Sequence, residues 1–494
     1  MAERAKPAAA AAGAQAPAFD LIIVGAGPAG LSAALTAARH GLAVVVVDEQ
    51  HDAGGQIFRQ PPPTFCSPPS SAFDSYAFGA PLLEHARRCR AIQWRLGTTA
   101  WGVFTPPCQG RVQVAIAGAG AGDSELLEAR ALLIATGAYD LPVAFAGWTL
   151  PGVMSAGGMQ TLLKSQFLRA GKRFVLAGSH PLLLLVADAL VQAGGEILEL
   201  AIARTRPALQ ELLAGWRAVP GHWRLLAQSA KALRNLRRHR VPIRFGTLVL
   251  RADGDPAVEQ VTLGSVDSAW QVQPGTERVL QADTLVIGYG LLAASELARQ
   301  AGCAVHWRPA AGGWVVRHDA QMRTSVERVC VAGEPAGVGG AEVAFLQGQL
   351  AALGIAATLH GQEPSPTLAR AMRQTARALG KARRWSDLVL RLFEPRLDAL
   401  ARLASDDTLV CRCEEVTAGS IREFLADNPH VSDVNSVKLG CRSGMGYCQG
   451  RYCQHSVAQL LAQARQTGIE HLGVFTAQAP IKPVPAGALA RLKA

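Results

Sequence analysis

The chain has 494 residues, 49% of them hydrophobic, with a formal net charge of +11; that length implies about three domains, each able to bury a core. The basic charge is not interleaved with aromatics, which argues against nucleic-acid binding and for a solvated basic surface. No run of about 18 uninterrupted apolar residues occurs, so no membrane span is expected.

Residues 1–18 are Ala-rich, interrupted by Pro7, Gly13 and Pro17, and read as a disordered tail with no signal-peptide core. Leu21 to Val24 is a buried strand, GAGPAG follows, and a helix runs from Leu31 to His40. A second strand, Ala43 to Val47, ends at Asp48 and Glu49. This order is the dinucleotide βαβ fingerprint. Gly25 permits the turn, Gly27 lets the backbone reach a pyrophosphate, and Gly30 lets helix and strand pack closely, with Pro28 and Ala29 between them. The acid that binds a ribose hydroxyl is Glu49, with Asp48 as the alternative. Gly54, Gly55 and Gln56 would run along the cofactor. Residues 61–71 read as a Pro/Ser loop. Ala131 to Ile134 is a strand that returns the chain to the cofactor at Thr136 and Gly137.

A second strand–turn–helix–strand unit starts at Arg173. Its three fingerprint positions hold Gly178, His180 and Leu183. His180 lacks the freedom to approach a pyrophosphate, and Leu183 would crowd the helix–strand contact. NAD(P), another adenine nucleotide, or no ligand at all stay open for this unit. Val329 to Ala332 then forms a strand, followed by Gly333, Glu334 and a helix opening over Gly337 to Ala341, including Gly340. The Glu334 carboxylate is expected to accept a bond from a ribityl hydroxyl, with the helix start facing a flavin.

Five of the ten cysteines fall between 411 and 453. Cys411 and Cys413 form a C-x-C pair, and Cys448 and Cys453 a C-x4-C pair on a Gly-rich turn that opens a helix. Four thiolates so spaced suit a metal or iron–sulfur centre. A zinc staple is the alternative, although zinc sites more often pair C-x2-C knuckles. The other cysteines are scattered and look like buried thiols, which fits a reducing, cytoplasmic compartment, with peripheral membrane association left open. No catalytic side chain is assigned.

Taken together, the sequence predicts an α/β protein. Two Rossmann-like domains, the second inserted in the first, precede a small, mostly helical cluster domain. The expected divisions are 19–155 with 284–362 for the FAD domain, 156–283 for the insert, 363–404 for a helical linker, 405–470 for the cluster domain and 471–494 for an extended tail.

Residues 19 to about 360 resemble the two-dinucleotide-domain flavoprotein reductases, and 408–455 resemble the bacterioferritin-associated-ferredoxin-like [2Fe-2S] module. With DEQ…GGQI, LPGVMSAGGMQTLLK and GMGYCQGRYC, the chain is similar to the α subunits of heteromeric, dye-linked amino-acid and opine dehydrogenases. These include octopine and nopaline oxidases, hydroxyproline dehydrogenases and the middle subunit of hydrogen cyanide synthase. The resemblance implies FAD and a [2Fe-2S] cluster, with Cys411, Cys413, Cys448 and Cys453 as ligands and Cys441 outside the set. It also implies an FAD-containing, amino-acid-oxidase-like β subunit that oxidises the CH–NH bond of an opine, D-amino acid or hydroxyproline-type imino acid. A small ferredoxin-like subunit occurs in some members. The rival readings are a self-sufficient NAD(P)H-dependent flavoprotein reductase and a zinc-stapled, flavin-binding scaffold.

Overall fold

The computed structural model describes residues 19–62, 64–65, 76–105, 110–118, 124–206, 211, 219–361 and 364–492. The tail expected over residues 1–18 and part of the 61–71 loop lie outside them.

The first domain is built on β1 (Phe19–Val24), α1 (Pro28–Arg39), β2 (Val44–Asp48), β3 (Ile92–Leu96), β4 (Thr98–Phe104), β5 (Val112–Gly118) and β6 (Ser124–Ile134). Strand order is β3-β2-β1-β6-β5-β4. The β3-β2-β1-β6 part is parallel and the β6-β5-β4 part an antiparallel meander. Leu21, Ile22 and Ile23 are wholly buried because β1 is covered on both faces, as a central parallel strand must be. Pro28 opens α1, where its missing N–H costs no helical bond.

The insert has its own parallel sheet of β7 (Val153–Ser155), β8 (Arg173–Gly178), β9 (Glu196–Ile202), β10 (Ile243–Phe245) and β11 (Thr284–Gly288), in the order β10-β9-β8-β11-β7. Helix α2 (Leu182–Gln192) follows β8. The divisions expected at 155/156 and 283/284 therefore move. Residues 153–155 and 284–288 hydrogen-bond into the second sheet, not the first. The chain crosses between domains on a two-stranded ribbon, Ala138–Asp140 paired with Leu291–Ala293.

Back in the first domain, β12 (Val329–Val331) pairs with the end of β6, and α3 (Gly340–Leu359) packs on α1. The crossing is close: a Cβ on Gly348 would lie 2.0 Å from Ala29 O. Among the described residues α3 alone is long and apolar enough to cross a bilayer, and here it is a core helix with 61% of its apolar window buried. The expected linker contains the 27-residue helix α4 (Pro366–Leu392), which starts on a Ser365 cap and packs along α3.

The cluster domain carries a short strand pair (Leu409–Cys411 with Val416–Thr417) and helices α5 (Ala418–Asp427), α6 (Val434–Cys441) and α7 (Gln454–Arg465). Thr417 and Asp433 cap α5 and α6. One apolar core runs from the interdomain loop (Phe145, Trp148) through the insert into this domain (Ile421, Val457, Leu461). The C-terminal segment is not extended throughout. It ends in a short helix, Ala486–Arg491, whose Ala488 is buried against Trp101, Ala115 and Ala117.

Candidate flavin and iron–sulfur sites

The glycine turn has the sterics its sequence implies. Gly25 sits at φ +108°, and a Cβ there would lie 2.2 Å from Ala135 O. A Cβ on Gly30 would lie 1.8 Å from Gly25 O. Gly27 meets nothing closer than Gly55 Cα at 3.9 Å, so its face is open to a ligand, and Gly55 backs directly onto it. Gln56 beside them is exposed.

The two acids after β2 divide the work. Asp48 Oδ2 accepts from Ala26 N at 2.6 Å, and its Oδ1 from Gln50 N at 2.7 Å. Asp48 thus ties the glycine turn to β2, and burial raises its pKa. Glu49 points outward, half-exposed, and its Oε1 is paired with Lys482 of the C-terminal segment.

Thr136 Oγ1 donates to Ala294 O at 2.6 Å, and Gly137 O accepts from Ala294 N, so these residues clip the ribbon between domains. Gly137 has open space at its Cα. Gly333 (φ +75°) donates its N–H to Gln347 Oε1 at 2.8 Å. Both Glu334 oxygens accept backbone bonds, from Gly339 N at 2.8 Å and Gly340 N at 3.2 Å. Its carboxylate therefore folds the loop before α3, and burial pushes its pKa up to about 7. Ala341 N–H bonds the Tyr76 hydroxyl, whose pKa burial pushes up to about 12. Tyr76 belongs to an aromatic cluster with Phe58, Phe78 and Phe345 that the sequence pattern did not single out.

The four expected cluster ligands converge. The Cys411 thiol lies beside that of Cys453, and Cys413 beside Cys448, close enough for each to perturb the other's titration. The neighbouring Cys453 thiol brings the Cys411 pKa down to about 5, and Cys411 pushes that of Cys453 up. Gly444 N–H points at Cys411 Sγ, 3.5 Å away. Cys411 and Cys453 are buried, Cys448 is half-buried and Cys413 is exposed, giving the site an inner and an outer edge. Cys441 ends α6 with its thiol raised by burial alone.

The donor set fits a [2Fe-2S] cluster. All four expected donors are cysteine thiols, and the Gly444 N–H points at one of them, the donor chemistry that an iron–sulfur cluster takes. Ser443 Oγ is fully buried in the same loop without a hydrogen-bond partner among the described residues, a donor left for cluster sulfur. Cys453 also caps α7, which turns a helix N-terminus toward the site.

The second nucleotide turn differs. Ser179 N and His180 N both donate to Gly288 O, and His180 Nδ1 accepts from Leu182 N at 3.3 Å. Burial holds the His180 ring neutral, with its pKa down to about 4. Leu183 does not crowd the sheet as expected, because Gly178 and Gly288 beneath it lack side chains. The residues just past α4 sit against the turn: Ser179 Oγ donates to Phe393 O at 3.5 Å, and Phe393, Glu394 and Pro395 line the same cavity as His180, Pro181 and Gly290. Arg204, just past β9, donates to Leu392 O and lies 5.8 Å over the Phe393 ring.

Residues 19–348 match the pyridine nucleotide-disulphide oxidoreductase family and 409–463 the BFD-like [2Fe-2S] binding domain. The opine oxidase A-subunit of Agrobacterium tumefaciens (strain Ach5) is 32% identical over 483 residues, 96% of this chain and 92% of that protein. The chain belongs to that family. Another relative of this opine oxidase A family member is hydrogen cyanide synthase subunit HcnB of Pseudomonas aeruginosa, 32% identical over 95% of this chain and 98% of that protein. L-proline dehydrogenase from P. horikoshii shares the fold, with a TM-score of 0.67 at 20% identity over 96% of this chain and 79% of that one. As a member of the opine oxidase A family, the chain is an oxidoreductase subunit whose cofactors are FAD and a [2Fe-2S] cluster.

Proposed function

We propose that the chain is the electron-transfer subunit of a heteromeric dehydrogenase acting on the CH–NH bond of an opine, a D-amino acid or a hydroxyproline-type imino acid. An FAD-containing, amino-acid-oxidase-like β subunit oxidises the substrate, and a small ferredoxin-like subunit is a candidate recipient of the electrons. The observation that carries this reading is the pairing of a nucleotide turn covered by Phe393 to Pro395 with a cluster site whose Cys413 reaches the surface. The first favours a source of electrons other than NAD(P)H. The second offers a way out.

When bound, FAD supplies two-electron acceptance with single-electron release, and the cluster supplies one-electron carriage. Gly25, Gly27, Pro28, Ala29 and Gly30 would hold the FAD diphosphate, and Glu49 the adenosine ribose. Gly55 and Gln56 would lie along the cofactor, with Thr136, Gly137, Gly333, Gly340 and Ala341 toward the flavin. Glu334 and Asp48 act one step back, by fixing the loops that make contact. Cys411, Cys413, Cys448 and Cys453 would hold the iron.

Anaerobic addition of NADH, then NADPH, to the purified chain tests this reading. Neither is expected to bleach the flavin, whereas dithionite reduces both flavin and cluster bands. Prompt bleaching by NADH would replace the relay with the self-sufficient reductase.

A further inference from the structure

The C-terminal segment touches both cofactor sites. At one end, Phe475 packs against the cluster loop: a Cβ on Gly444 or Gly450 would come within 2.4 or 2.6 Å of its ring. Arg299, from the first domain, donates to Phe475 O at 2.5 Å. Midway, Ile481 is buried in the core of the first domain and donates its N–H to Trp101 O at 2.9 Å. Ile481 O accepts from Arg451 Nη2 at 2.9 Å, while Arg451 Nη1 donates to Cys448 O at 3.1 Å. Arg451 thus lies between two cluster ligands and holds the segment by its backbone. The next residue, Lys482, pairs with Glu49. Its charge also reaches Asp48, which holds Ala26 in the glycine turn. Helix Ala486–Arg491 then anchors the end on the meander.

We propose that residues 475–492 form a strap shared by the two cofactor sites. Lys482 is a positioning residue that holds Glu49 toward the adenosine ribose of FAD, and Arg451 makes that hold depend on an ordered cluster loop. Lys482 takes Glu49 Oε1, which leaves Oε2 to accept from ribose hydroxyls. Loss of the cluster frees the loop between Cys448 and Cys453, slackens the strap at Ile481 and loosens the adenosine end of FAD. This rests on Glu49 as the ribose acid.

The test is FAD affinity, read by flavin fluorescence on the cluster-loaded chain, for K482M, K482R, E49Q and the double variant K482M/E49Q. K482M is expected to weaken FAD about fivefold, the upper range for a partly exposed ion pair. K482R should restore wild-type affinity, and K482M should add nothing in the E49Q background. Wild-type FAD affinity in K482M overturns the strap's role, as does an undiminished K482M effect in E49Q. If E49Q itself binds FAD normally, the ribose assignment falls and the strap with it. Removing iron with a chelator should speed FAD release from the wild type and change it less in K482M. Unchanged release from the wild type overturns the link between the sites.

Discussion

Gly446→Ala bears most directly on the cluster site. Gly446 lies two residues before Cys448, and a Cβ there would sit 2.4 Å from Cys413 Cβ and 2.8 Å from Glu414 Oε1. The Glu414 oxygen is the end of a side chain and can swing away. Cys413 Cβ cannot if its sulfur is to hold iron, as proposed. Reaching ordinary contact at 3.4 Å requires the two atoms to part by 1.0 Å, whereas metal–ligand distances tolerate about 0.2 Å. The loop must give up either its closure or its ligand geometry. Purified Gly446→Ala should therefore lack most of its iron and its iron–sulfur absorption, measured by metal analysis and the visible spectrum. Gly380→Ala is the control. It sits inside α4 with nothing within 4 Å of a new Cβ, and it should keep full iron and gain up to about 1 kcal/mol of helix stability. A Gly446→Ala protein with full iron content and an unchanged spectrum would refute the argument that this close approach shapes the site.

Two further outcomes follow from buried groups. Ser443→Ala should keep its iron but shift the cluster midpoint potential to more negative values in spectroelectrochemical titration, because a hydroxyl donor favours the more negative, reduced state; an unchanged or more positive potential counts against Ser443 as a donor to sulfur. His180 has its folded pKa lowered to about 4 from 6.5, so the folded chain resists the proton that the unfolded chain accepts. Its contribution is intact above pH 6.5 and is lost as pH falls toward 4, by up to about 3 kcal/mol. His180→Gln should flatten the fall in thermal midpoint over that window, and a fall as steep as wild type would assign the acid lability to other groups.

The parts legible in the sequence are those where chemistry acts over short spacings. Gly25 and Gly30 could be read because no Cβ fits at either position, and the four cysteines because paired thiols at such intervals are rare outside metal sites. The fingerprint spacing favours Glu49 as the ribose acid and keeps Asp48 as the alternative. What spacing does not show is that the turn's own Ala26 N–H captures the Asp48 carboxylate, which supports the proposal of Glu49 for the ribose. Leu183 looked like an obstacle because the relief comes from Gly288, 105 positions away and in another strand. The cover over the second nucleotide turn and the Lys482 contact have the same origin. Phe393 and Lys482 sit in stretches whose local pattern says only helix end or Pro-rich tail, and tertiary packing gives them their partners. The tail's prolines read as an extended run, but Ala488 found an apolar niche on the meander and a helical turn formed around it.

The continuous core between the insert and the cluster domain has a mechanical consequence. Trp148 donates its indole N–H to Leu409 O at 2.6 Å, Arg412 stacks over the Trp148 ring, and His455 of α7 stacks on Trp307 of the first domain. The cluster domain is therefore mortared to both of its neighbours, not carried on a swinging arm. The gap an electron must tunnel is set by solid packing, so thickening the solvent with glycerol should slow the docking of other proteins and leave the internal hop untouched.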